Sequence, residues 1–490
     1  MRLHELMRAL PVGHLPPEDP EIRGVCHDSR RIAPGELYVA IAGARYDGRD
    51  FSPQAVERGA VAVLGPGPAP PGLGVPWIAV DDPRPLLGPI AARLYERPHE
   101  RLLLVGVTGT NGKSTVITLL ARIVEAAGRP AAVVGTLGYR FGDRTFDELA
   151  AGERRPTTPE ASDLFRALDR MAAAGARAAV MEVSSHALAQ ERVAGAEFDL
   201  AVFTNLTRDH LDFHGDLEHY FAAKRRLFAQ LKPAGRAVVN LDDPYGRRLA
   251  AELPRVLGFG SGGEVRLVEA RVALEGIRAR VATPRGELVC ASPLLGRYNL
   301  DNLLATIAAA EALGLPHAAM VEAVAAQQPL PGRMEPVRAG QEFLALVDYA
   351  HTPAALEATL GSLRELDERR IVLVFGCGGD RDPGKRQPMG RIAGQGADLA
   401  IATSDNPRGE DPQAILAAIE QGLKASAPRS YRVVPDRREA IRLAVATAAA
   451  EPGWAVLVAG KGHEEVQITG ERKIPFSDRR ELEKALREAA

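Results

Sequence analysis

Six short apolar runs punctuate the chain: LLLVGV at 102–107, AAVMEV at 178–183, LAVFTN at 200–205, IVLVFG at 371–376, LAIATS at 399–404 and AVLVAG at 455–460. Ala/Leu-rich stretches of helical period separate them. This alternation predicts parallel sheets with crossover helices, whose ligands gather at the carboxyl ends of the strands. Chemistry is therefore expected just after each run. The segment HYFAAKRRLFAQL at 219–231 reads as an amphipathic helix with Tyr220, Leu227 and Phe228 as buried anchors.

Two proline-bearing segments, YERPHER at 95–101 and QQPLPGRMEPV at 327–337, interrupt the pattern and divide the chain into 1–98, 99–332 and 333–490. At about 150 residues per domain, a chain of 490 suits three domains. No charge-free apolar run reaches the ~18 residues of a membrane span. The opening MRLHELMRALPVG contains no apolar signal region, so a cytoplasmic protein is expected.

A net charge of −2, spread along the chain, excludes an electrostatic nucleic-acid binder with its basic stripe. Cys26, Cys290 and Cys377 are odd in number and far apart, which fits a reducing compartment and no disulfide framework. Only eight of the 61 basic residues are lysines, so the position of each lysine carries information.

One lysine lies in GVTGTNGKST, residues 106–115, between an apolar run and the helix-like VITLLARIVEAAG. Such a turn aims backbone N–H groups and a positive helix end at a phosphate chain. Gly109, Thr110, Asn111, Gly112, Lys113, Ser114 and Thr115 are the candidate ATP contacts. Lys113 can reach the outer phosphates, and the Ser114 hydroxyl can hold Mg²⁺. The spacing departs from G-x-x-x-x-G-K-[ST], because five residues separate Gly106 and Gly112.

GTNGKST resembles the nucleotide loop of the Mur ligase superfamily, which also includes folylpolyglutamate synthases. The resemblance extends over nearly the whole chain. It implies a small N-terminal α/β domain for a UDP-linked substrate, a central P-loop-type ATPase domain with a mainly parallel sheet, and a C-terminal Rossmann-like α/β domain. Folylpolyglutamate synthases lack the first of these.

MEVSSHALAQERV offers Glu182 at a strand end as a Mg²⁺ ligand. TNLTRDHLDFHG offers Asp209, His210, Asp212 and His214; on chemistry alone most of these read as a polar, helix-capping loop. The resemblance singles out His210 for a second Mg²⁺. Lys224, taken alone, reads as a solvated helix lysine, but AK-x-x-LF matches the segment whose lysine is carbamylated in similar ligases. N6-carboxylysine at Lys224 is thus implied as a metal ligand, and Lys113, Glu182, His210 and Lys224 form the implied catalytic set.

GRYNLDN resembles the segment contacting adenine, which puts Asn299 and Asn302 there; as bare residues they suggest a helix start capped by Asn299. Arg333 in PGRME and Asp348 and His351 in VDYAHTP are the implied phosphate and ribose contacts.

The stretch CHDSRRIAPGELYVAIAGARYDGR reads as a small α/β unit with a polar loop at 28–31. By resemblance, Ser29, Ala44, Arg45 and Tyr46 touch the UDP end of a UDP-N-acetylmuramoyl-L-alanyl-D-glutamate acceptor. Thr157, Thr158, Ser184, Gln190 and Arg192 would contact its sugar and peptide.

In the last domain, DNPR and GKGHEE read alone as a turn and a flexible loop. Arg381 and Arg408 carry donor forks suited to a carboxylate. DNPR resembles the version of the family that adds meso-2,6-diaminopimelate, which assigns Arg381, Asp405, Asn406, Pro407, Arg408, Gly460 and Glu464 to that substrate. The implied activity is ATP-dependent amide formation through an acyl phosphate, by a monomer that closes on its three substrates. A sibling adding L-lysine or a dipeptide, and a non-catalytic ATP-dependent sensor of wall precursors, are the alternatives.

Overall fold

The computed structural model describes residues 1–43, 46–146, 156–366, 368–426 and 429–489. The chain has the mixed α/β, three-part architecture read from its sequence, and all six apolar runs are buried strands. The first unit holds a parallel sheet of β1 (Gly24–Cys26), β2 (Glu36–Val39), β3 (Ala62–Pro66) and β4 (Trp77–Val80), paired in chain order. Helix Arg84–Leu94 leads away from it, and its Leu86, Leu87 and Ile90 share one apolar core with Leu104, Phe165 and Leu168 of the next unit.

The central sheet contains β5 (Leu103–Thr108), β6 (Ala131–Gly135), β7 (Gly138–Phe141), β8 (Arg144–Thr145), β9 (Ala178–Glu182), β10 (Phe198–Phe203), β11 (Leu231–Asn240) and β12 (Val256–Phe259). Their spatial order is β12-β11-β10-β5-β9-β6-β7-β8, and only β7 and β8 run antiparallel to their neighbours. β5 lies between β9 and β10, with Val107 opposite Glu182 and Thr108 opposite Phe203. Three loops distant in sequence therefore leave the same edge of the sheet. A three-stranded antiparallel sheet, β13 (Arg266–Ala273), β14 (Gly276–Thr283) and β15 (Gly286–Ser292), completes the unit.

The last unit orders β16 (Glu335–Pro336), β17 (Leu344–Asp348), β18 (Arg370–Phe375), β19 (Leu399–Ala402), β20 (Tyr431–Val433) and β21 (Trp454–Ala459) as β16-β17-β21-β18-β19-β20. All are parallel except β16. A separate hairpin of β22 (Val466–Thr469) and β23 (Arg472–Pro475) follows. Among the described residues, no helix is long and apolar enough to cross a membrane.

Residues 219–231 differ from expectation. The helix runs Leu217–Arg225 and gives way to a tighter turn at Phe228–Gln230. Tyr220, Leu227 and Phe228 are buried anchors as read, but Lys224 is only 1% exposed rather than solvated.

Candidate functional site

The loop after β5 enters helix Lys113–Ala126 through two glycines with left-handed backbones, Gly109 at φ 147° and Gly112 at φ 87°. Both are also crowded. A Cβ on Gly109 would stand 1.9 Å from Thr204 Oγ1, and one on Gly112 would stand 2.2 Å from Asn302 Oδ1. The loop is tied to the end of β10, where Thr110 N–H donates to the Asn205 carbonyl and Asn111 N–H to Asn205 Oδ1, both at 2.9 Å. Lys113 Nζ folds back to donate to the carbonyls of Gly109 and Thr110, each at 2.9 Å. Ser114 and Thr115 are buried in the first turn, and Ser114 Oγ donates to Glu182 Oε1 at 2.9 Å.

Glu182, at the end of β9, also accepts from Thr136 N–H at 2.9 Å and from the Thr136 hydroxyl at 3.2 Å. On the other side of the loop, Lys224 Nζ donates to the Gly109 carbonyl at 2.8 Å and lies 4.4 Å from the Tyr220 ring centre. Burial, reinforced by the charge of Lys113 and opposed by Asp209, drives its pKa well below that of an ordinary lysine.

His210 takes a left-handed backbone, φ 54°, which brings Nε2 to 3.4 Å from Asp209 Oδ2. Its ring lies edge-on to His186 at 4.7 Å. Burial pushes His210 down to about 3 and His186 to about 4, so both are neutral imidazoles, the ligating form. Asp209 is buried, which favours its neutral acid, yet it stays below the usual carboxylate range, with Lys385 and the His210 backbone N–H among the groups that favour its charged form. Asp212 is exposed, and His214 Nε2 is 3.0 Å from Ser185 Oγ.

Asn299 and Asn302 are both buried on helix Tyr298–Ala312. Asn299 does not cap the helix. Arg297 occupies that position without a side-chain bond, while Asn299 Nδ2 donates to the Leu295 carbonyl at 2.7 Å. Asn299 Oδ1 accepts from Asn302 Nδ2 at 2.8 Å, and Asn302 Oδ1 stands close against Gly112. The same helix borders a cleft of about 570 Å³, lined by Asp242, Gly260, Ser261, Arg297, Tyr298 and Asp301 among others.

Arg333 Nη2 reaches Ser114 Oγ at 3.4 Å, with its guanidinium 4.6 Å over Tyr349. The third unit therefore already touches the glycine loop. Asp348 is occupied differently than expected. Its carboxylate accepts from Met334 N–H and Ala350 N–H at 2.8 Å and from the Tyr298 and Thr359 hydroxyls at 3.3 Å. Those four bonds saturate its acceptor positions and leave none for a ribose in this conformation. His351 Nδ1 lies 2.8 Å from the Tyr349 carbonyl.

Thr157, Thr158, Ser184, Gln190 and Arg192 form one cluster beside Glu182. Thr136 Oγ1 is 3.0 Å from Thr157 Oγ1, and Thr158 Oγ1 donates to the Glu182 carbonyl at 2.9 Å and accepts from Ser184 N–H at 3.0 Å. Ser184 caps helix Ser185–Ala189, and Arg192 donates to the Thr158 carbonyl at 3.1 Å and to Gln190 Oε1 at 2.6 Å. Ser29 lies apart in the first unit, buried and bonded to Gln54 Oε1 at 2.8 Å, while Tyr46 is exposed. Ala44 and Arg45 lie outside the described residues.

The adjacent carboxyl ends of β17, β21, β18 and β19 gather a second charged cluster. Lys461, fully buried, donates to Asn406 Oδ1 at 3.0 Å and lies 3.4 Å from Asp405 Oδ1 and 3.5 Å from Glu464 Oε2. Asn406 Nδ2 donates to Glu464 Oε2 at 2.7 Å. Asp405 is buried, yet Lys461 and Arg437 keep it below the usual carboxylate range. Glu464 is pushed up, first by burial and then by the charge of Asp405. Arg408, after Pro407, holds a left-handed backbone with φ 53°, and its Nη1 donates to the Gly379 carbonyl at 2.6 Å. The Gly460 N–H donates to the Asp348 carbonyl at 3.0 Å. Arg381 stays at the surface, donating to the Asp380 carbonyl at 2.8 Å.

Residues 107–310 match the Mur ligase middle domain, 332–462 the Mur ligase glutamate ligase domain, and 21–95 the Mur ligase family catalytic domain. The chain belongs to the Mur ligase family. A relative from Geobacter metallireducens, named UDP-N-acetylmuramoyl-L-alanyl-D-glutamate--2,6-diaminopimelate ligase, is 45% identical over 492 residues, covering 96% of this chain and 94% of its own. One of the same name from Gloeobacter violaceus is 44% identical, covering 99% and 98%. A solved structure of a protein with that name superposes with a TM-score of 0.67 at 33% identity, covering 99% of this chain and 98% of the other.

Sequence reading of this Mur ligase missed Thr136 and the cleft residues Asp242 and Asp301, while Asp209 was read only as part of a polar loop and Lys461 only as one of the few lysines, inside GKGHEE. Asp242 follows the apolar run of β11, the position where the same rule found Glu182. Thr136 gave no signal, because a lone threonine after a short strand is ordinary.

Proposed function

We propose that this Mur ligase is an ATP-dependent amide ligase that adds meso-2,6-diaminopimelate to UDP-N-acetylmuramoyl-L-alanyl-D-glutamate in peptidoglycan precursor synthesis, the reaction its relatives are named for. A carboxylate is a poor acyl electrophile, so the D-glutamate side chain is first activated. Its oxygen attacks the γ-phosphorus of ATP, giving an acyl phosphate and releasing ADP. The diaminopimelate amine then attacks the acyl carbon, and collapse of the tetrahedral adduct gives the amide, inorganic phosphate and a proton.

Lys113 leaves the loop carbonyls to meet the outer phosphates, and Arg333 approaches the same pole from the third unit, stabilising charge as the phosphoryl group moves. Ser114 and Glu182 supply hard oxygen donors 2.9 Å apart, which suits Mg²⁺. His210 in its neutral form, with Lys224 as a carbamate, fits a second ion; a lysine whose pKa burial lowers gives up its proton more readily, and the free amine is the form CO₂ modifies. When bound, the ions neutralise phosphate charge. The cleft lined by Asp242, Tyr298 and Asp301 is the proposed seat of the nucleoside.

The charge pattern at the second cluster carries the choice of amine. Diaminopimelate presents a zwitterionic amino-acid group at its far end, and L-lysine presents only an ammonium. The fork of Arg408 suits the carboxylate, and Glu464, raised by burial and Asp405, gains from an incoming ammonium. Phosphate release measured with meso-diaminopimelate and with L-lysine is the test. Release that requires the nucleotide acceptor and prefers diaminopimelate supports the reading, whereas preference for L-lysine overturns it.

A further inference from the structure

Three of the residues assigned to the amino acid, Asp405, Asn406 and Arg408, are held by a hairpin that belongs to no larger sheet of the domain. Gln467 Nε2 donates to the Asp405 carbonyl at 2.9 Å, and Ile468 N–H donates to Asn406 Oδ1 at 2.9 Å. The Arg408 N–H donates to the Ile468 carbonyl at 3.0 Å, and the Arg408 carbonyl accepts from Gly470 N–H at 2.6 Å. Arg408 and Thr469 also pair as a parallel bridge. The left-handed backbone of Arg408, unfavourable for a residue with a side chain, is thus fixed from both of its polar groups by β22 and the turn after it.

An isolated two-stranded hairpin is marginally stable in water and needs a partner to stay ordered. Here β22 finds that partner in the Asp405–Arg408 loop, while β23 is largely exposed. We propose that β22, through Gln467, sets the pocket's selectivity for an amino acid with a zwitterionic far end. This rests on the diaminopimelate reading of that pocket. Gln467 is a positioning residue. Its side chain touches the backbone of Asp405, and by fixing that peptide it fixes the aim of Asp405 and Arg408.

The test compares wild type, Gln467→Met and, as a control on the same hairpin, Ile474→Ser, whose side chain is exposed. Methionine keeps the length of glutamine and removes the donor. The KM for meso-diaminopimelate should rise about 3- to 10-fold, the worth of one hydrogen bond. The preference for it over L-lysine should fall by a similar factor. kcat, the KM for ATP and the melting temperature should change little, and Ile474→Ser should match wild type. Hydrogen exchange gives a reading independent of turnover, since adding meso-diaminopimelate to wild type should slow exchange at 405–408 and 466–470 together. Unchanged selectivity in Gln467→Met, or a fall in kcat alone, overturns the proposal while wild-type preference for diaminopimelate leaves the broader reading intact. Wild-type preference for L-lysine overturns both.

Discussion

Lys113 and Lys224 converge on one acceptor, the Gly109 carbonyl oxygen, at 2.9 and 2.8 Å. Like charges that close, one of them sealed from solvent, oppose folding. For both lysines burial is the leading cause of a lowered pKa, and Lys113 lowers Lys224 further. Nothing in packing calls for this arrangement. It suits a site prepared to receive anions, one on the loop and one built onto the Lys224 amine itself.

Replacing Lys224 by methionine should therefore abolish phosphate release and yet stabilise the ligand-free protein, by on the order of 1–3 kcal/mol near neutral pH, because an expensive buried charge is removed. The folded pKa of Lys224 lies below its unfolded value of 10.5. Its penalty is complete below the folded pKa and fades as pH rises toward 10.5, because the unfolded chain binds the extra proton across that window. The advantage of the variant should shrink in step. Unfolding measured from neutral to alkaline pH checks this; a variant less stable than wild type would make Lys224 a structural anchor. Wild-type activity should also depend on bicarbonate, and full activity in Lys224→Ala would exclude carbamylation.

The strands were legible because each is an apolar run buried on both faces, a property of neighbouring residues. Candidate residues were legible where a strand ends, as at Glu182 and Asp405. The burial of Lys224 was not, because it is decided by Gly109, 115 positions away, while its own neighbours are polar, and only the resemblance singled that lysine out. Asn299 and Asn302 sit on one helix face as read, but their mutual bond and the contact with Gly112 depend on how that helix meets the loop. Asp348 looked available in sequence and is saturated in space. Gln467 lies in a hairpin whose register against Asp405 no local pattern encodes.

Substituting Gly112 by alanine should weaken nucleotide binding without unfolding the protein. The new Cβ would meet Asn302 Oδ1 at 2.2 Å in a backbone conformation already costly for alanine. Strain of about 1–3 kcal/mol is expected, and it lands on the loop that faces the phosphates. A loss of ATP affinity of at least about tenfold in calorimetry is the outcome. Asn302→Ala combined with Gly112→Ala should recover part of it, since the clashing oxygen is gone and only the strain remains.

Arg208 and Asp382 form a contact between the second and third units, with Nε 3.3 Å from Oδ2. Arg208 is half exposed, so the pair is worth at most about 1 kcal/mol to stability. Its consequence is expected in the position of the third unit instead. Asp382→Ala should leave the melting temperature nearly unchanged and enlarge the radius measured by solution scattering without ligands, with ATP and both substrates restoring the compact form. Scattering that does not respond to all three ligands would count against closure.

Arg437 and Asp478 are both fully buried and face each other through two bonds of 2.7 Å. Arg437 Nη2 also donates to the Ala459 carbonyl at 2.9 Å, immediately before Gly460 of the amino-acid loop. Asp478 opens helix Asp478–Ala489, where the helix end favours a negative charge. Breaking such a pair from one side leaves an uncompensated buried ion. Asp478→Asn, which preserves shape, should therefore cost about 3–5 kcal/mol in urea unfolding. Arg437→Met should be costly as well, because it strands the carboxylate. The double variant Arg437→Met/Asp478→Leu removes both charges and should be less damaging than the sum of the singles, giving a coupling energy above about 1 kcal/mol. Additive losses would mean that the two side chains act separately and that Ala459, rather than Asp478, is the partner that matters to Arg437.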